Sequence, residues 1–194
     1  TRSTVTFVSP WRTSTILVTS TTLPGDPSGL LFVRARPGPA GGTRSFTSVA
    51  TGARLTIRSQ GADPRAASLL ADAHALGLTQ VTAIDIAEVV FFHDDLPAVH
   101  RAAIEAVLVD PLLQTATWQA PTRGIDTELL PGVTDPAAQA VALAAHTVDL
   151  PEVEVATGMH YDVHPALDTA TTALLARRLL ANQVIERWAP APIA

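Results

Sequence analysis

The spacing of apolar and polar positions changes several times along the chain, and each change marks an expected element. Arg54-Leu55-Thr56-Ile57-Arg58 alternates with period two, as a strand with one buried face does. From Asp63 the period lengthens, and Ala66, Leu69, Leu70, Ala73 and Leu76 form the buried stripe of a helix. Asp63 suits its N-cap, Pro64 the first helical position, where no N–H is needed, and Gly77 the left-handed turn that ends it. Residues 81–86 and 89–92 have strand composition. Pro97 opens a second helix through Ala102, Ala103, Ala106 and Val107, and Asp110-Pro111 stops it, because the residue before a proline is pushed out of the helical region.

The same order of elements returns downstream. A short strand at Glu128-Leu129-Leu130 leads to Asp135-Pro136, which caps and opens a helix with Ala138, Val141, Ala142, Ala145 and Val148 on one side. Val153, Val155 and the segment after Gly158 read as strand, with Met159, Tyr161 and Val163 alternating with polar neighbours. A helix from Asp168 to near Asn182 and an extended end over 184–188 complete the set. Asp63 and Asp135 lie 72 positions apart, and at that offset residues 63–116 align with the later segment without a gap. His74 then falls on His146, Leu78 on Leu150, and Asp110-Pro111-Leu112-Leu113-Gln114 on Asn182-Gln183-Val184-Ile185-Glu186. Identical residues are few and partly alanine or leucine, so the shared order of elements carries the reading.

The expected fold class is therefore α+β: two tandem ferredoxin-like modules, 51–118 and 127–190, each with two helices on one face of an antiparallel sheet. Residues 119–126 link them and residues 1–50 form a β-rich extension. Units of about 60 residues bury little surface alone, so the two sheets are expected to pack against each other as an intrachain pseudo-dimer. One larger α+β domain with unrelated halves is the alternative. In the extension, Val5-Thr6-Phe7-Val8, Thr15-Ile16-Leu17-Val18 and Leu30-Leu31-Phe32-Val33-Arg34 have strand composition, separated by Pro- and Gly-rich turns. A hairpin on the first module, an extra sheet layer and a lead-in segment are all compatible with it.

Composition narrows the function classes. The 194 residues are 47% hydrophobic, with a net charge of −5, and every one of the thirteen basic residues is arginine. Only Arg177 and Arg178 are adjacent, so no basic patch for a nucleic acid is expected. No apolar run reaches the roughly 18 residues of a membrane helix, no basic start with an apolar core opens the sequence, and the expected setting is cytoplasmic. Cysteine is absent, which excludes disulfides, thiolate nucleophiles and cysteine-ligated zinc.

Candidate chemistry is sparse. His160 and His164 share a strand face, and His93-Asp94-Asp95 supplies further donors, so a metal site can be drawn from these five residues; a surface loop with polar residues near a strand end is the more ordinary reading, and no metal or cofactor is expected. His74 and His146 sit beside their helical stripes, as partly buried structural residues or as a shared site between modules. Glu88, Glu105, Asp162 and Asp168 are isolated in sequence, and neither a Gly-x-Ser-x-Gly elbow nor a Gly-x-x-x-x-Gly-Lys phosphate loop occurs. Nothing here points to catalysis by the chain alone.

The strings Pro131-Gly132-Val133-Thr134-Asp135-Pro136, Gly158 to Val163 and Leu180-Ala181-Asn182-Gln183-Val184-Ile185-Glu186 resemble the PurS module of phosphoribosylformylglycinamidine (FGAM) synthase. The family reads approximately Pro-Gly-Val-x-Asp-Pro and Leu-x-Asn-Pro-Val-Ile-Glu at the first and third. Gln183 stands where the family has proline, and Met159-His160 where a basic residue is common. With Leu108 to Gln114 ending the first copy, residues 54–188 are similar to the doubled N-terminal region of fused single-chain enzymes. The resemblance implies a PurS-like subunit or domain in de novo purine biosynthesis with no catalytic residues of its own. Its implied partners are the synthetase and glutaminase of an ATP- and glutamine-dependent ligase, which it bridges while assisting ammonia transfer. Asp63, Pro64, Asp110, Pro111, Asp135, Pro136, His160, Tyr161 and Asn182 are the candidate interface or structural-motif residues. A ferredoxin-like regulatory domain binding a small molecule between modules is the alternative, and a small metal-dependent enzyme built on the histidines a third.

Overall fold

In the computed structural model the described residues are 2–9, 12–19, 52–150 and 153–193, and they fall into two units. The N-terminal unit holds β1 (Arg2–Ser9) and β2 (Arg12–Thr19), an antiparallel pair in register from Arg2↔Thr19 to Ser9↔Arg12. The third strand expected there, at Leu30–Arg34, lies outside the described residues.

The second unit runs β3 (Arg54–Ser59), α1 (Pro64–Ala75), β4 (Ala83–Phe92), α2 (Ala98–Leu108), β5 (Gln114–Thr117), β6 (Ile125–Leu129), α3 (Pro136–His146), β7 (Val155–His164), α4 (Thr169–Leu175) and β8 (Glu186–Pro190). A π-helical turn, Ala176–Leu180, continues α4. The six strands form one antiparallel sheet in the order β5-β3-β4-β7-β6-β8. This corrects the expectation of two sheets packed on each other: the halves join edge to edge through β4 and β7. Those two strands pair over ten residues, from Ala83↔His164 to Phe92↔Val155. Pairing along a whole strand satisfies the backbone donors and acceptors that two separate sheets would each leave open at an edge. β6 also begins at Ile125, inside the expected linker.

The central position of β4 explains its sequence. Ile84, Ile86, Val90 and Phe92 point to the helices, while Ala87, Val89 and Phe91 point to the other face, and all seven are buried. A strand buried on both sides loses clean alternation, so one continuous strand read as two candidates. The helices lie on one face and pair across the halves. Ala73 of α1 shares a core cluster with Leu175 of α4 and Leu180 of the π turn, over Ile84, Ile86 and Tyr161. Ile104 of α2 shares another with Val141 and Ala145 of α3, over Leu55 and Phe92. Each cluster thus needs side chains from both halves.

The ungapped 72-position offset holds for helices, turns and the last strand of each half, β5 and β8, but not for the strand pairs β3/β6 and β4/β7. Gly77 and Asp149 both have positive φ, 88° and 59°, and the amides of Leu78 and Leu150 donate to the carbonyls of Ala73 and Ala145. Yet the same offset sets Val89 and Phe91, on the helix-free face, against Tyr161 and Val163, on the helix face. A one-residue slip moves every side chain of a strand to the opposite face. The pairing corrects it: Leu55↔Val90 corresponds to Ile125↔Tyr161, which sets the strands 70 and 71 positions apart.

Close approach between strands depends on Gly158. A Cβ built there would lie 2.0 Å from the Thr127 carbonyl oxygen on β6 and 3.1 Å from the Phe91 ring. The first neighbour is backbone of a paired strand and cannot rotate away. Gly158→Ala is expected to destabilise the fold by about 3 kcal/mol in urea unfolding; a change within about 0.5 kcal/mol would show that the strands do not approach this closely.

Candidate functional site

The helix-free face carries a buried polar cluster built from three strands. Arg54 stands on β3, Asp126 on β6 and His160 on β7, with 8%, 0% and 1% exposure. β4 and β7 lie between β3 and β6, so the ion pair reaches across two intervening strands. Arg54 Nη1 donates to Asp126 Oδ2 at 2.5 Å and Nη2 to Oδ1 at 2.9 Å, a two-pronged pairing. His160 Nδ1 lies 2.7 Å from Oδ1, and the backbone N–H of Ile193 donates to Oδ2 at 2.8 Å. Arg54 also donates through Nε to Thr56 Oγ1 and rests 5.3 Å from the centroid of the Phe91 ring.

Burial alone pushes the Asp126 carboxyl up. Hydrogen bonds from His160 and Arg54, the Arg54 charge and the Ile193 amide outweigh it and hold the group at about 2. The carboxylate is therefore ionised at neutral pH, with both oxygens doubly engaged. Its neighbour on the same face, Glu128, is also buried; one oxygen accepts from Arg187 and the other has no hydrogen-bond partner among the described residues.

A second polar group lies toward the end of β4 and β7. Asp85 and Asp162 are directly opposed, which on a sheet is repulsive. His164 Nε2 sits 3.1 Å from Asp85 Oδ2, and Arg123 Nε sits 3.1 Å from Asp162 Oδ1, so a cation or donor offsets each carboxylate. The five residues weighed as metal ligands are not brought together: His160 pairs with Asp126, His164 with Asp85, and Asp95 with Arg101. Among the described residues no group of three His, Asp or Glu is placed to hold a metal. His74 Nε2 meets the Val81 carbonyl at 2.7 Å, a local bond at the end of α1.

Of the nine candidate residues only His160 enters the buried cluster. Asp63 caps α1 by accepting from the Arg65 amide, and Pro64 is its first residue. Asp135 caps α3 through the Ala138 amide and also accepts from the amide and hydroxyl of Thr157, fastening the helix start, with Pro136, to β7. Tyr161 is buried on the helix face. Asp110 and Asn182 shape two equivalent turns. Each side chain accepts from the amide two residues on, Leu112 or Val184; each carbonyl accepts from Gln114 or Glu186, whose side chain accepts the amide in return. The Pro111 carbonyl accepts from Gln60.

Arg54 and Asp126 were missed by the sequence reading. Arg54 counted only as a strand end and Asp126 as linker. The available signal was Ile125-Asp126-Thr127-Glu128-Leu129, a period-two run with both carboxylates on one side.

Strand, helix, strand, helix, strand, with helices on one face of an antiparallel sheet, places this unit in the α+β class. Residues 124–190, from just before β6 to the end of β8, match the PurS model, described as phosphoribosylformylglycinamidine (FGAM) synthase, and this segment is a PurS-like module. No curated protein matches the chain.

The depressed Asp126 group fixes a pH dependence. Its folded pKa, about 2, lies below the reference value of 3.8, so it contributes stability that is full above pH 3.8 and is lost as pH falls toward 2. The loss expected is about 2 kcal/mol. Asp168, capping α4, is also held low, chiefly by hydrogen bonds from Thr171, and acts in the same direction. Urea unfolding from pH 5 to pH 2 should therefore show a shallower decline in Asp126→Asn than in the unsubstituted protein; equal declines would contradict the assignment.

Proposed function

We propose that this chain acts as the PurS-like part of an FGAM synthase assembly in cytoplasmic purine biosynthesis, performing no chemistry of its own. Its role is to bridge the synthetase and glutaminase and to assist the passage of ammonia between them. The observation that carries this reading is the PurS match, which spans one complete strand-helix-strand-helix-strand unit. We further propose that the first half is a diverged copy of the same module. Its element order, its Asp-capped helix and its Asp110 turn, with the same hydrogen bonds as the Asn182 turn, support this. A chain holding both copies presents to its partners a surface that single-module subunits would assemble from two chains.

The absence of cysteine accords with a division of labour in which glutamine hydrolysis, by a thiolate nucleophile, resides on another polypeptide. Buried charges on the helix-free face are paired within the chain, which suits a scaffold more than a reacting site.

The test is reconstitution. With a synthetase and a glutaminase from the same source, this chain should co-purify with both, and glutamine-dependent amidation should fall at least about tenfold in its absence while ammonia-dependent amidation changes little. Absence of a complex together with turnover indifferent to the chain would overturn the proposal.

A further inference from the structure

We propose that Ala191–Ile193, the segment following β8, is a strap whose docking on the helix-free face and the closure of the seam between the halves form one coupled unit. Up to Ala191 the segment follows the ladder: Pro190 opposes Ile125, and the Ala191 amide donates to the Gly124 carbonyl at 2.9 Å. At Ile193 it leaves the ladder. Its amide reaches the Asp126 side chain at 2.8 Å instead of the backbone of the paired strand, so the chain turns onto the sheet face. The Ile193 side chain is buried there against Val89 and Phe91, with Ala156 and Ala189 beside them. Phe91 in turn lies under the Arg54 guanidinium.

The strap therefore touches the seam at two points. Its backbone supplies one of the four donors to Asp126, and its side chain covers β4 where β4 meets β7. The other three donors come from Arg54 in the first half and His160 in the second. Lifting the strap leaves a buried carboxylate one donor short and bares the apolar surface of Val89 and Phe91. Both changes weaken the ion pair that spans the halves. By reciprocity, strain on the seam weakens strap docking to the same degree. The strap is thus a conformational latch on the sheet face, and whatever engages it acts on the joint between the modules.

Hydrogen exchange on the full chain tests this, using two substitutions that separate the contacts. Ile193→Pro removes the donor and keeps apolar bulk, whereas Ile193→Gly keeps the donor and removes the bulk. Each should speed amide exchange in β3, β6 and the β4–β7 pair by about tenfold to a hundredfold, the scale of one hydrogen bond to a charged group, and shift the His160 ring signals. In the unsubstituted protein, the Ile193 amide should lose protection at the same low urea concentration as the seam amides. The proposal is overturned if both variants keep seam exchange within about twofold of the parent, or if the parent's Ile193 amide exchanges as in a free peptide.

Discussion

The Asp126 carboxylate must find four donors in a place water does not reach, and the arrangement of the second unit follows from how it finds them. Two come from Arg54 on β3, one from His160 on β7 and one from the amide of Ile193. A buried carboxylate without these partners costs several kcal/mol. With them it ties a strand of the first half, a strand of the second and the segment after β8 to one point. Removing any donor leaves a charge partly unpaired, so the cluster discriminates against alternative registers and against separation of the halves.

The rest of the architecture serves the same joint. β4 and β7 pair along their full length, the glycine at 158 lets β6 approach β7 beneath the Phe91 ring, and both helix-face cores draw residues from each half. Units of this size are marginal alone, and sharing both cores across the seam removes that weakness. For a PurS-like module the consequence is that segment 124–190 is held by residues outside its own match, Arg54 and Phe91 among them.

Much of this was legible in the chain itself. The Asp-Pro helix starts, the interruption at Asp110-Pro111 and the two equivalent turns are local chemistry, and local chemistry is what a single sequence displays. The strands were harder for a physical reason. The helix starts keep the 72-position offset, whereas β4 and β7 slip from it by one residue, which moves every side chain to the opposite face, so the ungapped offset served the caps at Asp63 and Asp135 while misplacing Val89 and Phe91 against Tyr161 and Val163. Edge-to-edge joining left no mark beyond the double-sided burial of β4, which resembled two short strands. The ion pair between Arg54 and Asp126 was hidden because it depends on the order and register of four strands, and no spacing rule encodes either.

The most direct measurement of the central claim is a double-mutant cycle on Arg54→Met and Asp126→Leu, read by urea unfolding at neutral pH. Each single substitution strands a buried charge and should cost about 3–5 kcal/mol. The double variant should be destabilised far less than the sum, giving a coupling of about 3 kcal/mol or more. Effects that add to within about 0.5 kcal/mol would contradict it, because the two charges would then not meet in the folded protein.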